Sequence, residues 1–189
     1  MRLFFAITVP DAVIAHAVVQ RDRVRAIVGD EGMRWTDPGT WHFTSKYLGE
    51  LDESLVTALG ETARAVSARH PRFDCTVAGL GAFHTHGRPH VLWLGADVGR
   101  EAMIALAGSL DEAVAVHGVV RDDHAHHPHL TLARVPQASA QKRVARMLEA
   151  ATVAAEGASP SFGIDELVLM HSVRSGEARY DVLARFPLK

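Results

Sequence analysis

A single cysteine, Cys75, occurs among the 189 residues, which excludes an internal disulfide. It sits in an alternating stretch with Phe73 and Val77, where a buried thiol is expected, and the pattern suits a reducing compartment. A basic surplus is missing as well. Twenty Lys and Arg against 22 Asp and Glu leave a net charge of −2, which excludes a generally basic nucleic-acid coat but not a local basic cleft. No apolar run reaches the length of a membrane span. The first such run, Leu3 to Val9, is cut by Pro10-Asp11 before a helical pattern begins, so it reads as a buried strand and not as a signal peptide. A cytoplasmic protein with no membrane partner is the expectation.

What remains is ordinary for one packed core, with 48% hydrophobic and 22% charged residues. A helix follows Asp11, with Val13, Ala17, Val18 and Val24 on one stripe and Gly29 beyond its end. A strand is expected from His42 to Gly49, a helix within Leu51 to Arg69, and a strand at Phe73 to Val77. Gly79 and Gly81 then lead into a segment, Phe83 to Pro89, that reads as a loop. The order repeats: a strand from Val91 to Ala96, a helix from Glu101 to His117, a polar loop, a strand from His129, and a helix from Ala138 to Ala155 with Met147 and Ala151 inward. Strands Phe162 to Met170 and Arg179 to Phe186, joined by a turn through Ser175-Gly176, end the pattern. Residues 3, 42 and 73 correspond to 91, 129 and 162, a near-constant offset of about 88. The expected architecture is a single α+β domain over residues 1–189, with two pseudo-symmetric, intertwined lobes (approximate halves 1–89 and 90–189) of antiparallel sheet, helices outside and a central cleft.

Both halves carry the same short pattern. His42-Phe43-Thr44 and His129-Leu130-Thr131 each place an imidazole and a hydroxyl two residues apart, hence on one face of a strand. By strict alternation Lys46 joins His42 and Thr44, while Arg134 falls opposite His129. Two imidazoles facing one phosphorus centre suit in-line displacement, one removing a proton from water and the other protonating the departing oxygen. The threonine hydroxyls could hold the non-bridging oxygens, and Lys46 could add a point charge.

These segments and their flanks resemble the RNA 2′,3′-cyclic phosphodiesterase family, also called 2′-5′ RNA ligase, of the 2H phosphoesterase superfamily. The resemblance rests on Arg2 to Ile7 (RLFFAI), His42 to Glu50 (HFTSKYLGE), Arg88 to Gly95 (RPHVLWLG) and Pro128 to Arg134 (PHLTLAR). It implies metal-independent and cofactor-free opening of RNA or nucleoside 2′,3′-cyclic phosphates to 2′-phosphates, possible 2′-5′ ligation, His42 as proton donor and His129 as proton acceptor. It further implies that Thr44, Thr131 and Arg134 contact the phosphate. The sequence departs from the family pattern at His126, where an aromatic residue is common, and at Ser45, where an aliphatic is usual.

Other readings stay open at this point. His124, His126 and His127, with His84, His86 and His90, invite a metal-dependent phosphodiesterase, although the spacing is not that of a zinc motif. A non-catalytic module binding RNA ends or nucleotides would keep the same cleft. Trp35, Trp41 and Trp93 suit core or cleft wall. No pattern signals an oligomer, and a monomer is expected.

Overall fold

The computed structural model describes residues 1–150, 157–175 and 177–189. Two four-stranded antiparallel sheets form its frame. The elements in order are β1 (Arg2–Thr8), α1 (Asp11–Val28), β2 (Arg34–Trp35), β3 (His42–Glu50), α2 (Val56–Ser67), β4 (Phe73–Cys75) and β5 (Val77–Thr85). There follow β6 (Arg88–Ala96), α3 (Arg100–Val114), β7 (His129–Arg134), α4 (Ala138–Glu149), β8 (Phe162–Ile164), β9 (Glu166–Ser175) and β10 (Glu177–Pro187). The first sheet runs β10-β9-β1-β3, the second β2-β7-β6-β5, and β4 pairs with β8 in a short ribbon. The fold class is α+β, as the sequence pattern implies.

The sheets do not follow the sequence halves. Each is built around the first strand of one half, with that half's His-Thr strand on one side and a strand from the other half on the other side. Thus β9-β1-β3 mirrors β5-β6-β7. The segment read as a loop between Phe83 and Pro89 is the physical reason for the second exchange. It belongs to a hairpin of β5 and β6, turned tightly at His86 and Gly87, both with positive φ (51° and 73°). A two-residue turn of this kind keeps consecutive strands adjacent. Gly81, which weakened the strand signal, is required there: a Cβ would stand 2.2 Å from the Trp93 ring packed across it.

One apolar core runs between sheets and helices, joining Leu3, Phe5 and Ile7 of β1 to Leu130 and Leu132 of β7 and to Leu59, Leu106 and Leu110 of the helices. The other face of β1 is covered too, with Phe4 and Ala6 packed against Val168, Met170 and Tyr180. Burial on both faces explains why β1 reads as an unbroken apolar run. The end of α1 and α4 close the second sheet through Val24, Val28, Val144 and Met147. The expected continuation of α4 to Ala155, including Ala151, and the turn residue Gly176 lie outside the described residues. Among the described residues no helix is long and apolar enough to cross a membrane.

Both His-Thr strands break strict alternation in the same way. In β3 the register passes from Thr44 to Lys46 without a partner for Ser45, and in β7 from Thr131 to Ala133 without one for Leu132. Such a bulge moves every later side chain to the opposite face. Lys46 therefore turns away from His42 and Thr44, contrary to the reading by alternation, and its place as a phosphate contact is withdrawn. Its side chain is 1% exposed, with the ammonium paired with Asp111 at 2.6 Å and Asp122 at 2.7 Å and bonded to the Val120 carbonyl at 2.9 Å. Lys46 thus ties the first His-Thr strand to the segment leading into the second. From the other half, the Thr36 hydroxyl bonds to the carbonyls of Thr131 and Leu132 at the bulge of β7. Each bulge is held by the opposite half of the chain.

Burial alone would raise the Asp111 carboxyl, but hydrogen bonds from Lys46, from the Asp122 N–H and from Arg121 hold it at about 2, against an ordinary 3.8. A carboxylate so depressed contributes stability that is full above its ordinary pKa and is lost as the pH falls through the folded value. Lys46→Met leaves Asp111 without its buried partner and is expected to cost about 3–5 kcal/mol in urea denaturation at neutral pH. The acid-side loss of stability between roughly pH 4 and 2 should shrink in the same variant. Unchanged urea midpoint and unchanged acid sensitivity would show that the tie carries no stability.

Candidate active site

The two His-Thr strands come together on one cleft of about 480 Å³, whose lining includes His42, Thr44, His129, Thr131, Arg134 and Tyr180. His42 and His129, far apart along the chain, are close enough that the field of His129 acts on His42. Arg134 stands with them: the bulge at Leu132 brings it back to the His129 face, which corrects the placement by strict alternation. In β3 the corresponding position, five residues after the histidine, holds Tyr47. Tyr47 borders a side arm of the cleft together with Arg134, His42 and Thr44.

Each imidazole is oriented by the same device. Nδ1 of His42 lies 2.7 Å from the carbonyl of Thr40, and Nδ1 of His129 lies 2.7 Å from the carbonyl of His127. A carbonyl can only accept, so Nδ1 carries the proton in both rings and Nε2 is left for the cleft. Nε2 of His42 also meets the Thr44 hydroxyl at 3.1 Å, which donates to it when the ring is neutral. The rings are packed as well as bonded. Phe4 stacks on His42 at 4.9 Å between centroids, and Tyr180 meets it edge-on at 5.1 Å. Phe83 meets His129 edge-on at 4.7 Å.

Both pKa values are lowered from the ordinary imidazole value. Burial is the largest cause in each ring, and the carbonyl bond opposes it. The field of His129 adds to the lowering at His42, and those of His127 and Arg134 add to it at His129. The unliganded cleft therefore favours two neutral rings, each ready to accept a proton at Nε2.

The remaining sequence candidates are sorted by the same geometry. Of the histidine cluster, His124 is exposed beside Asp123, His127 supplies the carbonyl for His129 and packs on Trp93, and burial pushes His126 down to about 4. Among the described residues no three His, Cys, Asp or Glu side chains converge in a metal-binding arrangement. Trp35 and Trp41 line the cleft, Trp41 donating its indole N–H to Thr36 at 2.7 Å. Cys75 is buried, and burial pushes its thiol up to about 12, so it is no nucleophile. Residues that motif reasoning missed are Tyr180, Phe4 and Tyr47. Tyr180 comes from β10, and nothing in a strand-like stretch near the end of the sequence announces a neighbour of His42. Tyr47 had no usable signal, since the consecutive buried positions that mark the bulge are Ser45 and Lys46, polar residues whose burial only the structure reveals.

Comparison with known proteins identifies the family. The sequence profile of the 2′-5′ RNA ligase superfamily matches residues 16–176. Over 115 residues the chain is 30% identical to the RNA 2′,3′-cyclic phosphodiesterase of Aeropyrum pernix, covering 60% of this chain and 64% of that protein. Over 157 residues it is 31% identical to the RNA 2′,3′-cyclic phosphodiesterase of Geobacillus stearothermophilus, covering 82% of this chain and 47% of that protein. The chain thus spans less than two thirds of the length of either relative. The crystal structure of E. coli LigT complexed with NADP+ matches with a TM-score of 0.75 at 28% identity, covering 99% of this chain and 96% of LigT. With its profile matched over most of the sequence and its fold shared along nearly the whole chain, this protein belongs to the 2′-5′ RNA ligase superfamily.

Proposed function

We propose that this chain is an RNA 2′,3′-cyclic phosphodiesterase, opening a terminal 2′,3′-cyclic phosphate to a 2′-phosphate without a metal. The observation that carries the reading is the mirrored pair of rings, each with Nδ1 bound to the carbonyl two residues back and Nε2 left to a shared cleft. Nε2 of His129 takes a proton from water as its oxygen attacks phosphorus. The bond from phosphorus to the 3′ oxygen breaks, and that oxygen receives the proton from Nε2 of His42. One ring ends protonated and the other neutral, the reverse of the starting state, and exchange with solvent restores both. Thr44, Thr131 and Arg134 hold the non-bridging oxygens, where negative charge concentrates in the transition state. With a ribose 5′ hydroxyl in place of water, the same steps join a 2′-5′ linkage, and run in reverse they cleave one. The RNA-end phosphodiesterases among the relatives and the superfamily membership support this substrate class.

Product analysis on RNA bearing a 2′,3′-cyclic phosphate, with chelator present, tests the reading directly. A 2′-phosphate product is expected. A 3′-phosphate would show that the 2′ oxygen departs and would overturn the assigned roles, and activity that vanishes with chelator and returns with a divalent ion would replace the reading with a metal hydrolase. His42→Ala and His129→Ala should each lower kcat by roughly 100- to 10,000-fold. Binding of a 2′-phosphate product, followed by calorimetry, should weaken far less. Wild-type binding of cyclic ends without turnover would instead identify a binding module.

The pH dependence follows from the depressed rings. In free enzyme His129 must be neutral and His42 protonated, and the lowering of both displaces the bell of kcat/KM to the acid side of the ordinary imidazole value. A bound phosphodiester anion favours the protonated form of a nearby ring, so the kcat profile should lie at higher pH than that of kcat/KM. Profiles that coincide, or a kcat/KM bell centred above the ordinary imidazole value, would contradict the assignment.

A further inference from the structure

Beside the reacting pair, the cleft extends into an arm of about 420 Å³ that shares His42, Thr44 and Arg134 with it and is bounded outward by Arg2, Tyr47 and Ser172. We propose that Arg2 and Tyr47 form a second anion subsite, one nucleotide from the reacting phosphorus, which takes the phosphodiester joining the terminal nucleotide to the rest of an RNA chain. The inference rests on the phosphodiesterase reading above and names the part of the substrate that lies beyond the reacting ribose.

Three features of the arm carry it. The bulge in β3 lifts Tyr47 onto the cleft side, where it occupies the position that Arg134 occupies in β7. Its ring is 49% exposed, so core packing does not account for the placement. Arg2, on the neighbouring strand, donates Nε–H to the Tyr47 hydroxyl at 2.9 Å, and its guanidinium carbon lies 6.0 Å from the ring centroid. This contact uses one of five guanidinium donors and holds the long side chain against a rigid aromatic face. The planar donors that remain suit a phosphate with two acceptor oxygens.

The spacing fits one nucleotide. With Ser45 bulged out, Thr44 and Tyr47 are separated by about two regular strand steps, roughly 7 Å at about 3.3 Å per step. An anion at Arg2 is thus displaced along β3 from one held between Thr44 and Thr131. Arg134 borders both regions.

The experiment compares kcat/KM for adenosine 2′,3′-cyclic phosphate with and without a 5′-phosphate, the smallest probe of the subsite. Wild type should prefer the 5′-phosphorylated form by about tenfold or more, the scale of charge-assisted hydrogen bonds to a phosphate. In Arg2→Gln that preference should fall toward one, and in Tyr47→Phe, which keeps the ring but frees Nε of Arg2, it should fall part of the way. Thermal melts of both variants identify any loss that is only unfolding, and Tyr47→Phe preserves the test should Arg2→Gln fold poorly. A wild-type preference near one, or a preference that survives in well-folded Arg2→Gln, overturns the subsite. Turnover of neither compound overturns the phosphodiesterase reading itself, and the subsite with it.

Discussion

Each of the two cleft imidazoles, His42 and His129, donates its Nδ1 proton to the backbone carbonyl two residues earlier, just before its strand begins. That one bond does three things at once. It selects the tautomer, sets the ring's angle to the strand, and partly offsets the lowering of the pKa that burial causes. Since the acceptor is main chain, its position depends on the path of the segment entering the strand. The ladder of each His-Thr strand and the loop before it therefore matter more to the site than any single side chain. The aromatic rings around the histidines keep the geometry by packing, with Phe4 and Tyr180 at one ring and Phe83 at the other.

The exchange of strands between the halves gives this arrangement its stiffness. Were each half a self-contained lobe, the distance between the two imidazoles would depend on a hinge. Instead β9 completes the sheet of the first His-Thr strand and β5 that of the second. Side chains reinforce the exchange where the bulges interrupt the ladders: Thr36 reaches the carbonyls of Thr131 and Leu132, and Lys46 reaches Val120, Asp111 and Asp122. The proposed mechanism, which needs proton donor and acceptor at fixed separation, is served by such cross-bracing, because proton transfer falls off steeply with misplacement.

The two bulges also divide the labour between the lobes. Five residues beyond the histidine, one strand presents the permanent cation Arg134 and the other presents the phenol Tyr47, backed by Arg2. The approximate symmetry of the frame thus carries an asymmetric set of groups. The acid-base mechanism proposed above needs two similar rings in different protonation states, and the charged neighbours of the two rings differ.

Much of this was legible in the residues. The H-x-T segments, their flanks and the repeat at about 88 residues determined the α+β class, the pairing of His42 with His129 and the placing of both threonines, because period-2 alternation and turn residues act locally. The start and stop of the first helix at Asp11 and Gly29 were legible for the same reason. Where alternation was extended past a bulge it failed, sending Lys46 into the cleft and Arg134 out of it. The hairpin at His86-Gly87 was hidden by Gly81, whose cause is the ring of Trp93 on the next strand. Which half supplies each strand, and that Tyr180 should stand beside His42, were decided only by the tertiary structure. A bulge, an exchanged strand and a cross-sheet aromatic contact all depend on partners distant along the chain, and no local periodicity encodes a partner that folding alone brings near.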